Sequence, residues 1–399
     1  MAENKQNKRP NVPPLRFPEF TEPWEQHLTT DYFEFKNGLN PDVKRFGTGV
    51  KFISVMDILN NRYISYDRII SSVEPKGDDL KDFGVNYGDI LFQRSSETLE
   101  DVGRANVYLD KRTAIFGGFV IRGKKIGNYD PLFFRYLLTC PTVRKRIIVK
   151  GAGAQHFNIG QDGLSKVHLS VPSEKEQKRI SNLLNLIDER IETQSKLIED
   201  LQQLKSALVD ELFCDKANWV TYKCKDILHP VCERNKALKI NNVLSASQEH
   251  GMISRDELDI DIKYESSAIS TYKIVQPGDY VLHLRSFQGG LAFSRITGIC
   301  SPAYTIFRPT KAVTYGFLEE FFMSKRFIYS LRLVTYGIRD GRSINVDEFL
   351  TMNISIPNMD TQCKIVQILS VFRQRLNNAQ SILQKYIVQK QYLLGQMFI

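Results

Sequence analysis

"HLSVPSEKEQKRISNLLNLIDERIE" fills residues 168–192, and "NISIPNMDTQCKIVQILSVFRQRLN" fills residues 353–377. Each is a short apolar run closed by an aliphatic-proline pair, followed by a long charged stretch with regularly spaced aliphatics. Sliding the chain by 185 positions lays residues 130–212 on 315–397 without a gap. Val171-Pro172 then falls on Ile356-Pro357, Gln177 on Gln362 and Ile180 on Ile365. Upstream the register drifts: Gly88-Asp89 matches Gly278-Asp279 at an offset of 190, and Trp24 matches Trp219 at 195. Self-similarity at a fixed spacing marks a repeated structural unit. The chain is therefore read as two copies of one unit, diverged at the front and matched in length at the back.

The back of each copy reads as a long helix. Ser173 and Asn358, just after the prolines, are the expected N-caps. Stepping alternately by four and three from Ile180 meets apolar residues at eight of ten positions, and from Ile365 apolar or aromatic residues at nine of ten. A spacing of 3.5 sustained over five heptads is a coiled-coil seam. Lys205 and Lys390 interrupt it at equivalent steps, where a stem can lie along the seam while the ammonium reaches water. About 40 residues at 1.5 Å each make each helix roughly 60 Å long. In the order globule, helix, globule, helix, the second helix packs on the first only by returning. The pair is thus expected to be antiparallel, with the C-terminus near the first globule.

The fronts carry short runs rich in β-branched and aromatic residues: "KFISVMDI", "GDILFQR", "TAIFGGFVIRG", "GDYVLHLR" and "AYTIFRP". Each front closes with an amphipathic helix, "DPLFFRYLLTCPTVRKRIIV" or "YGFLEEFFMSKRFIYSLRLV", and a glycine-bearing loop, "KGAGAQHFN" or "TYGIRDGRSIN". The expected fold class is α/β (α+β): two tandem mixed globules joined by two long antiparallel coiled-coil helices with a pseudo-two-fold internal repeat. The boundaries are a disordered tail at 1–16, globules at 17–172 and 214–357, and spacer helices at 173–213 and 358–399.

The net charge of +9 favours an acidic partner, nucleic acid above all. The first helix carries −3 and the second +4, which leaves +8 on the tail and globules, where phosphates would be met. No apolar run approaches the length of a membrane span, and no partner membrane is expected. The six cysteines form no CxxC pair and read as reduced thiols; a cytoplasmic, bacterial setting fits. Cys224, His229 and Cys232 lack a fourth ligand at zinc spacing, so no metal is expected. Apolar residues outside the seam (Leu183, Leu186, Leu197, Leu204, Ile368, Val371, Ile382 and Leu394) are candidates for gripping a partner protein. Two unlike basic globules on one frame suit two unlike DNA half-sites separated by an unread spacer, since an identical pair would read a palindrome.

"LRFPEF…W", "GDILFQR", "GAGAQHFNI" and "VP…EQKRI…LLNLID" together resemble the specificity subunits of type I restriction–modification systems, over nearly the whole chain from about Leu15. The resemblance implies two target-recognition domains and two helical spacers. It implies double-stranded DNA as ligand, with two methyltransferase subunits and restriction subunits as partners. Methylation would fall on one adenine in each half-site. S-adenosylmethionine, ATP and Mg would belong to those partners, with no cofactor in this chain. The second copy departs from the pattern at Thr361, which stands where the first has Glu176, and in the loop at 335–345.

No catalytic role is expected. The single Pro-Pro, at 13–14, is not a methyltransferase motif, and no P-loop is present. "EQK" at 176–178 mimics a nuclease Glu-x-Lys but falls on the spacer helix. A stand-alone DNA-binding regulator and a coiled-coil interaction scaffold are the alternative readings.

Candidate DNA-reading residues of the first globule are Lys44, Arg45 and Lys51 beside a glycine turn, Arg94, Ser95, Ser96 and Arg104 around "GDILFQR", and Gln155, His156 and Asn158 in the glycine loop. Their counterparts are Arg285, Ser286, Gln288, Arg339, Arg342, Ser343 and Asn345. Gly88-Asp89 and Gly278-Asp279 are read as turn devices, and Trp24 and Trp219 as core anchors.

Overall fold

The computed structural model describes residues 11–153, 155–214, 218–247, 250–257, 266–282, 291–331, 335–336 and 343–399. The chain divides into two compact units, one of Met1–Ser195 with Ser381–Ile399 and one of Lys196–Gln380. Each unit is a globule completed by half of each long helix.

In the first unit, four antiparallel strands lie in the order Phe33–Asn37, Val120–Lys125, Ile90–Gln93, Ala105–Val107. A second sheet orders Ser72–Val73, Phe46–Ile53, Ala114–Phe116 and Gly84–Val85. Glu25–Leu28 pairs with His168–Val171, which brings the start of the globule to the strand feeding the first long helix. The second unit repeats the main sheet in the same order: Leu228–Val231, Thr305–Pro309, Tyr280–Leu282, Ala292–Phe293. It repeats the closing pair as Val220–Lys223 with Asn353–Ile356. The duplication is one of topology as well as of sequence.

The two long helices are Glu174–Leu212 and Met359–Gln396. Asn358 caps the second, its Oδ1 accepting from the Thr361 amide at 3.0 Å. Seam positions are buried or half-buried throughout both helices. Within the first unit the helices run antiparallel, Asp188 meeting Lys390 and Arg190 meeting Tyr386. The first core combines Trp24, Phe33, Phe92 and Phe133 with Ile180, Leu184 and Ile187 of the first helix and Leu393, Met397 and Phe398 from the chain end. Trp24 stands edge-on to Phe133 and Phe398, at 6.0 and 6.2 Å. The chain end thus docks on the first globule. Burying Met397 and Phe398 contributes roughly 1.5–3 kcal/mol each. The second core likewise takes Val209 from one helix, Phe213 just past its end, and Ile365 and Leu369 from the other.

Three expectations change. The amphipathic helix closing each front is two helices. Pro131–Thr139 stops where Pro141 starts Pro141–Ile148, because a proline nitrogen has no hydrogen to continue the ladder. In the second copy Phe317–Met323 stops at Ser324, whose side chain caps Lys325–Ser330 by accepting from Phe327. "KFISVMDI" is strand only to Ile53; Ser54 and Asp57 form a capping box that turns Val55–Asn60 into helix. The tail is held from residue 11 at least: Pro13 is buried, the Leu15 amide donates to Gln396 O at 3.0 Å, and Arg16 is ion-paired to Glu176.

Both Gly-Asp pairs act as turns. Gly88 and Gly278 sit at φ +91° and +98°, where a Cβ is strained. Asp89 accepts from the amides of Asn86 and Lys125, and Asp279 accepts from Gln276 and a bidentate Arg308. Burial pushes the Asp89 carboxyl above the usual carboxylate range, against the pull of those two amides.

Candidate nucleic-acid interface

A compact group of the sequence-nominated residues assembles beyond the end of strand Ile90–Gln93. Ser95–Ser96 pairs antiparallel with Phe157–Asn158. The Ser95 hydroxyl donates to Asn158 Oδ1, and the Ile159 amide donates to Arg94 O at 3.0 Å. The glycine loop is closed by reciprocal backbone bonds between Ala152 and Asn158, at 2.9 and 2.8 Å. Gly153 lies at φ +145°, and a Cβ there would come within 2.0 Å of His156 O, so the loop accepts only glycine. Gln155, His156 and Asn158 project exposed from this pinned frame. The structure therefore joins Arg94, Ser95, Ser96, Gln155, His156 and Asn158 in one place, with side chains of donor and acceptor type on a rigid support.

Other nominees differ. Lys44 is exposed in the turn Val43–Arg45. Lys51 is half-buried on Phe46–Ile53. Arg104 is exposed and ion-paired with Asp101 at 2.6 Å. Arg45 is withdrawn: its guanidinium is ion-paired to Asp79 and donates to Glu74 O at 2.8 and 3.0 Å, fastening the turn to the neighbouring segment. Asn345 is withdrawn too, its Oδ1 accepting from the amides of Asp347 and Glu348 as the N-cap of Val346–Thr351. Arg285, Ser286, Gln288, Arg339 and Arg342 lie outside the described residues. Ser343 lies on the two-residue strand Ser343–Ile344.

Of the apolar helix residues nominated for a partner, Leu186, Leu197, Leu204, Ile368, Val371 and Ile382 are exposed. Leu183 and Leu394 pack against the first core instead, because the chain end and the globule converge on that part of the helices.

Three charged residues of the long helices have partners that the sequence did not disclose. Glu176, the residue of the nuclease-like "EQK", is buried and fully engaged: Arg16 donates to it at 2.8 and 2.7 Å and Trp24 Nε1 at 3.3 Å. The signal was present, since Thr361 replaces it where Trp219 is only partly buried. Lys390 and Lys205 reach acids rather than water, Asp188 at 2.6 Å and Glu320 at 2.8 Å. Cys224 is buried, and no cluster of metal-ligating side chains occurs among the described residues. No helix of the described residues is long and apolar enough to cross a membrane.

The fold defines the class: an internally duplicated α/β protein whose two units share a frame and differ in their loops. Residues 21–203 match the family model of the Type I restriction modification DNA specificity domain. It is 25% identical over 213 residues to a putative type I restriction enzyme MjaX specificity subunit from Methanocaldococcus jannaschii, an alignment covering 52% of this chain and 49% of that one. The chain thus spans about half the length of that relative. Its fold matches the S subunit of a type I restriction–modification system from M. genitalium, with a TM-score of 0.59 at 14% identity over 97% of this chain and 99% of that one. It also matches a chain from a study of assembly and conformational transition of the type I R-M system, with a TM-score of 0.55 at 11% identity over 93% and 96%.

Proposed function

We propose that this chain is the DNA-specificity subunit of a type I restriction–modification complex, reading a bipartite, asymmetric site with one half-site per unit. The observation that carries this reading is the repeated frame with diverged loops: the same strand order and closing pair recur in both units, whereas "GAGAQHFNI" has no close counterpart in the second copy. A shared frame with unlike reading surfaces is what two unlike half-sites require. In the first unit Arg94, Ser95, Ser96, Gln155, His156 and Asn158 meet base edges and phosphates, with Lys44, Lys51 and Arg104 supplying charge. The exposed helix residues Leu186, Leu197, Leu204, Ile368, Val371 and Ile382 receive two methyltransferase subunits, to which restriction subunits add. S-adenosylmethionine, ATP and Mg serve those subunits, and this chain supplies recognition without catalysis.

The test is an exchange of residues 17–172 for the corresponding domain of a relative, followed by sequencing of methylated adenines in cells carrying the complex. One half-site should change and the other persist. A change in both, or in neither, refutes two independent readers.

A further inference from the structure

The turn Gly117-Gly118-Phe119 presents a bare aromatic ring on a rigid base. Phe119 is 69% exposed, yet its surroundings are fastened on several sides. The Arg94 amide donates to Phe119 O at 2.9 Å, Val120 N to Gly117 O at 2.9 Å, Gly117 N to Ile53 O at 3.0 Å and Leu39 N to Phe116 O at 3.0 Å. A Cβ on Gly118 would lie 1.9 Å from Asn40 Oδ1. Behind the ring lies a groove of about 410 Å³ walled by Leu39, Pro41, Phe46, Phe52, Met56 and Val120, with few polar atoms. Arg94 is bonded through its backbone to Phe119 on one side and Ile159 on the other, so the ring stands beside the Ser95–Asn158 cluster. The Arg94 guanidinium rests on Gly118 O at 3.3 Å, and Lys44 lies two residues before the groove residue Phe46.

We propose that Phe119 is a specificity residue whose ring, backed by this groove, takes the C5-methyl group of a thymine in the half-site of the first unit. The inference rests on the DNA-reading function proposed above. An apolar wall cannot satisfy the donors and acceptors of a base edge, and the thymine methyl is the apolar feature that the major groove offers. The cations at either side match the flanking phosphates. A rigid turn loses little freedom on binding. The second unit argues against a protein as occupant. Pairing Ile306 with Val281, as Arg122 pairs with Leu91, places Ala303 where the first unit has Phe119. A partner meeting both units alike would find a ring in one and a methyl group in the other, whereas unlike half-sites demand such a difference.

The test uses the complex reconstituted with its methyltransferase subunits and duplexes carrying the mapped target. Each thymine of the first half-site is replaced in turn by deoxyuridine, which removes only the methyl group. Wild type should lose roughly fourfold in affinity at one position, the worth of one buried methyl group. Phe119→Ala should bind the thymine duplex more weakly by at least that factor and show no further loss with uracil there, while Phe119→Leu keeps the discrimination. A first half-site without thymine, no uracil-sensitive position, or additive losses in Phe119→Ala would each overturn the proposal. So would a Phe119→Ala chain that keeps its DNA affinity but fails to co-purify with the methyltransferase subunits, which would make the groove a protein-docking surface. The exchange of residues 17–172 tests the underlying reading separately: if it alters one half-site while Phe119→Ala alters nothing, only this inference fails.

Discussion

Asp188 and Lys390 meet at 2.6 Å in the first unit, one on each long helix, and Arg135 joins the same carboxylate at 3.3 Å. The second unit holds the counterpart with its polarity exchanged. Under the offset of 185, Arg373 overlays Asp188 and Glu320 overlays Arg135. Glu320 pairs with Lys205 at 2.8 Å and with Arg373 at 3.3 Å. The lysine from the other helix is retained in both units, while acid and base have traded places between spacer helix and globule. A buried carboxylate is tolerable only when its charge is met, so the trade must occur as a pair.

Reversing one member should therefore be costly and reversing both should not. Asp188→Arg is expected to destabilise the chain by about 3 kcal/mol, since it places three cations together. Adding Arg135→Glu recreates the arrangement of the second unit and should recover most of the loss. Urea unfolding of wild type, both single variants and the double variant measures the coupling. Independent, additive losses would show that the three residues do not act as one network.

Gln177 and Gln362 clamp the two helix starts alike. Gln177 accepts from the Asp130 amide at 3.0 Å and donates to Pro172 O at 2.9 Å; Gln362 accepts from Thr314 at 2.8 Å and donates to Pro357 O at 2.9 Å. Replacing either by Glu keeps the acceptor and sets a charge against the proline carbonyl. Losses of about 1–3 kcal/mol are expected at each site, and, with the two sites in separate units, the double variant should show their sum. Thermal unfolding of the three variants checks this.

The thiols should fall into two classes. Burial pushes Cys140 up to about 11 and Cys224 and Cys300 to about 12, while Cys214, Cys232 and Cys363 are exposed. The thiolate is the reacting form, so a chromogenic disulfide reagent at pH 8 should titrate three thiols quickly and three more only after unfolding. Rapid reaction of all six in the folded chain would contradict the burial.

Arg45 and Arg94 should separate stability from recognition. Arg45→Ala removes the ties to Asp79 and Glu74 and is expected to cost about 1–2 kcal/mol with DNA affinity of the complex preserved. Arg94→Ala should leave the unfolding midpoint nearly unchanged and weaken DNA binding by about tenfold or more. Parallel unfolding and DNA titrations of the two variants decide the assignment.

The duplication, the two long helices, their seam and the docking of the chain end on the first globule were all legible in the sequence. Periodicity and chain order are properties of a line of residues and survive translation into three dimensions. Seam residues such as Ile180, Leu184, Ile365 and Leu369 are buried as their spacing requires. The glycine loop was legible for the same reason, because a backbone demand is written locally. Whether a polar side chain is free to read DNA is not local. Arg45 is spent on Glu74 and Asp79, residues 29 and 34 positions away, and Glu176 on Arg16, 160 positions away. Leu183 and Leu394 share the spacing of their exposed neighbours but meet the first core. Phe119 read as one more strand residue, yet tertiary structure turns its ring outward beside Arg94. Sequence determined which elements form and in what order they return; the partners that long-range packing supplies decided which side chains remain free to act.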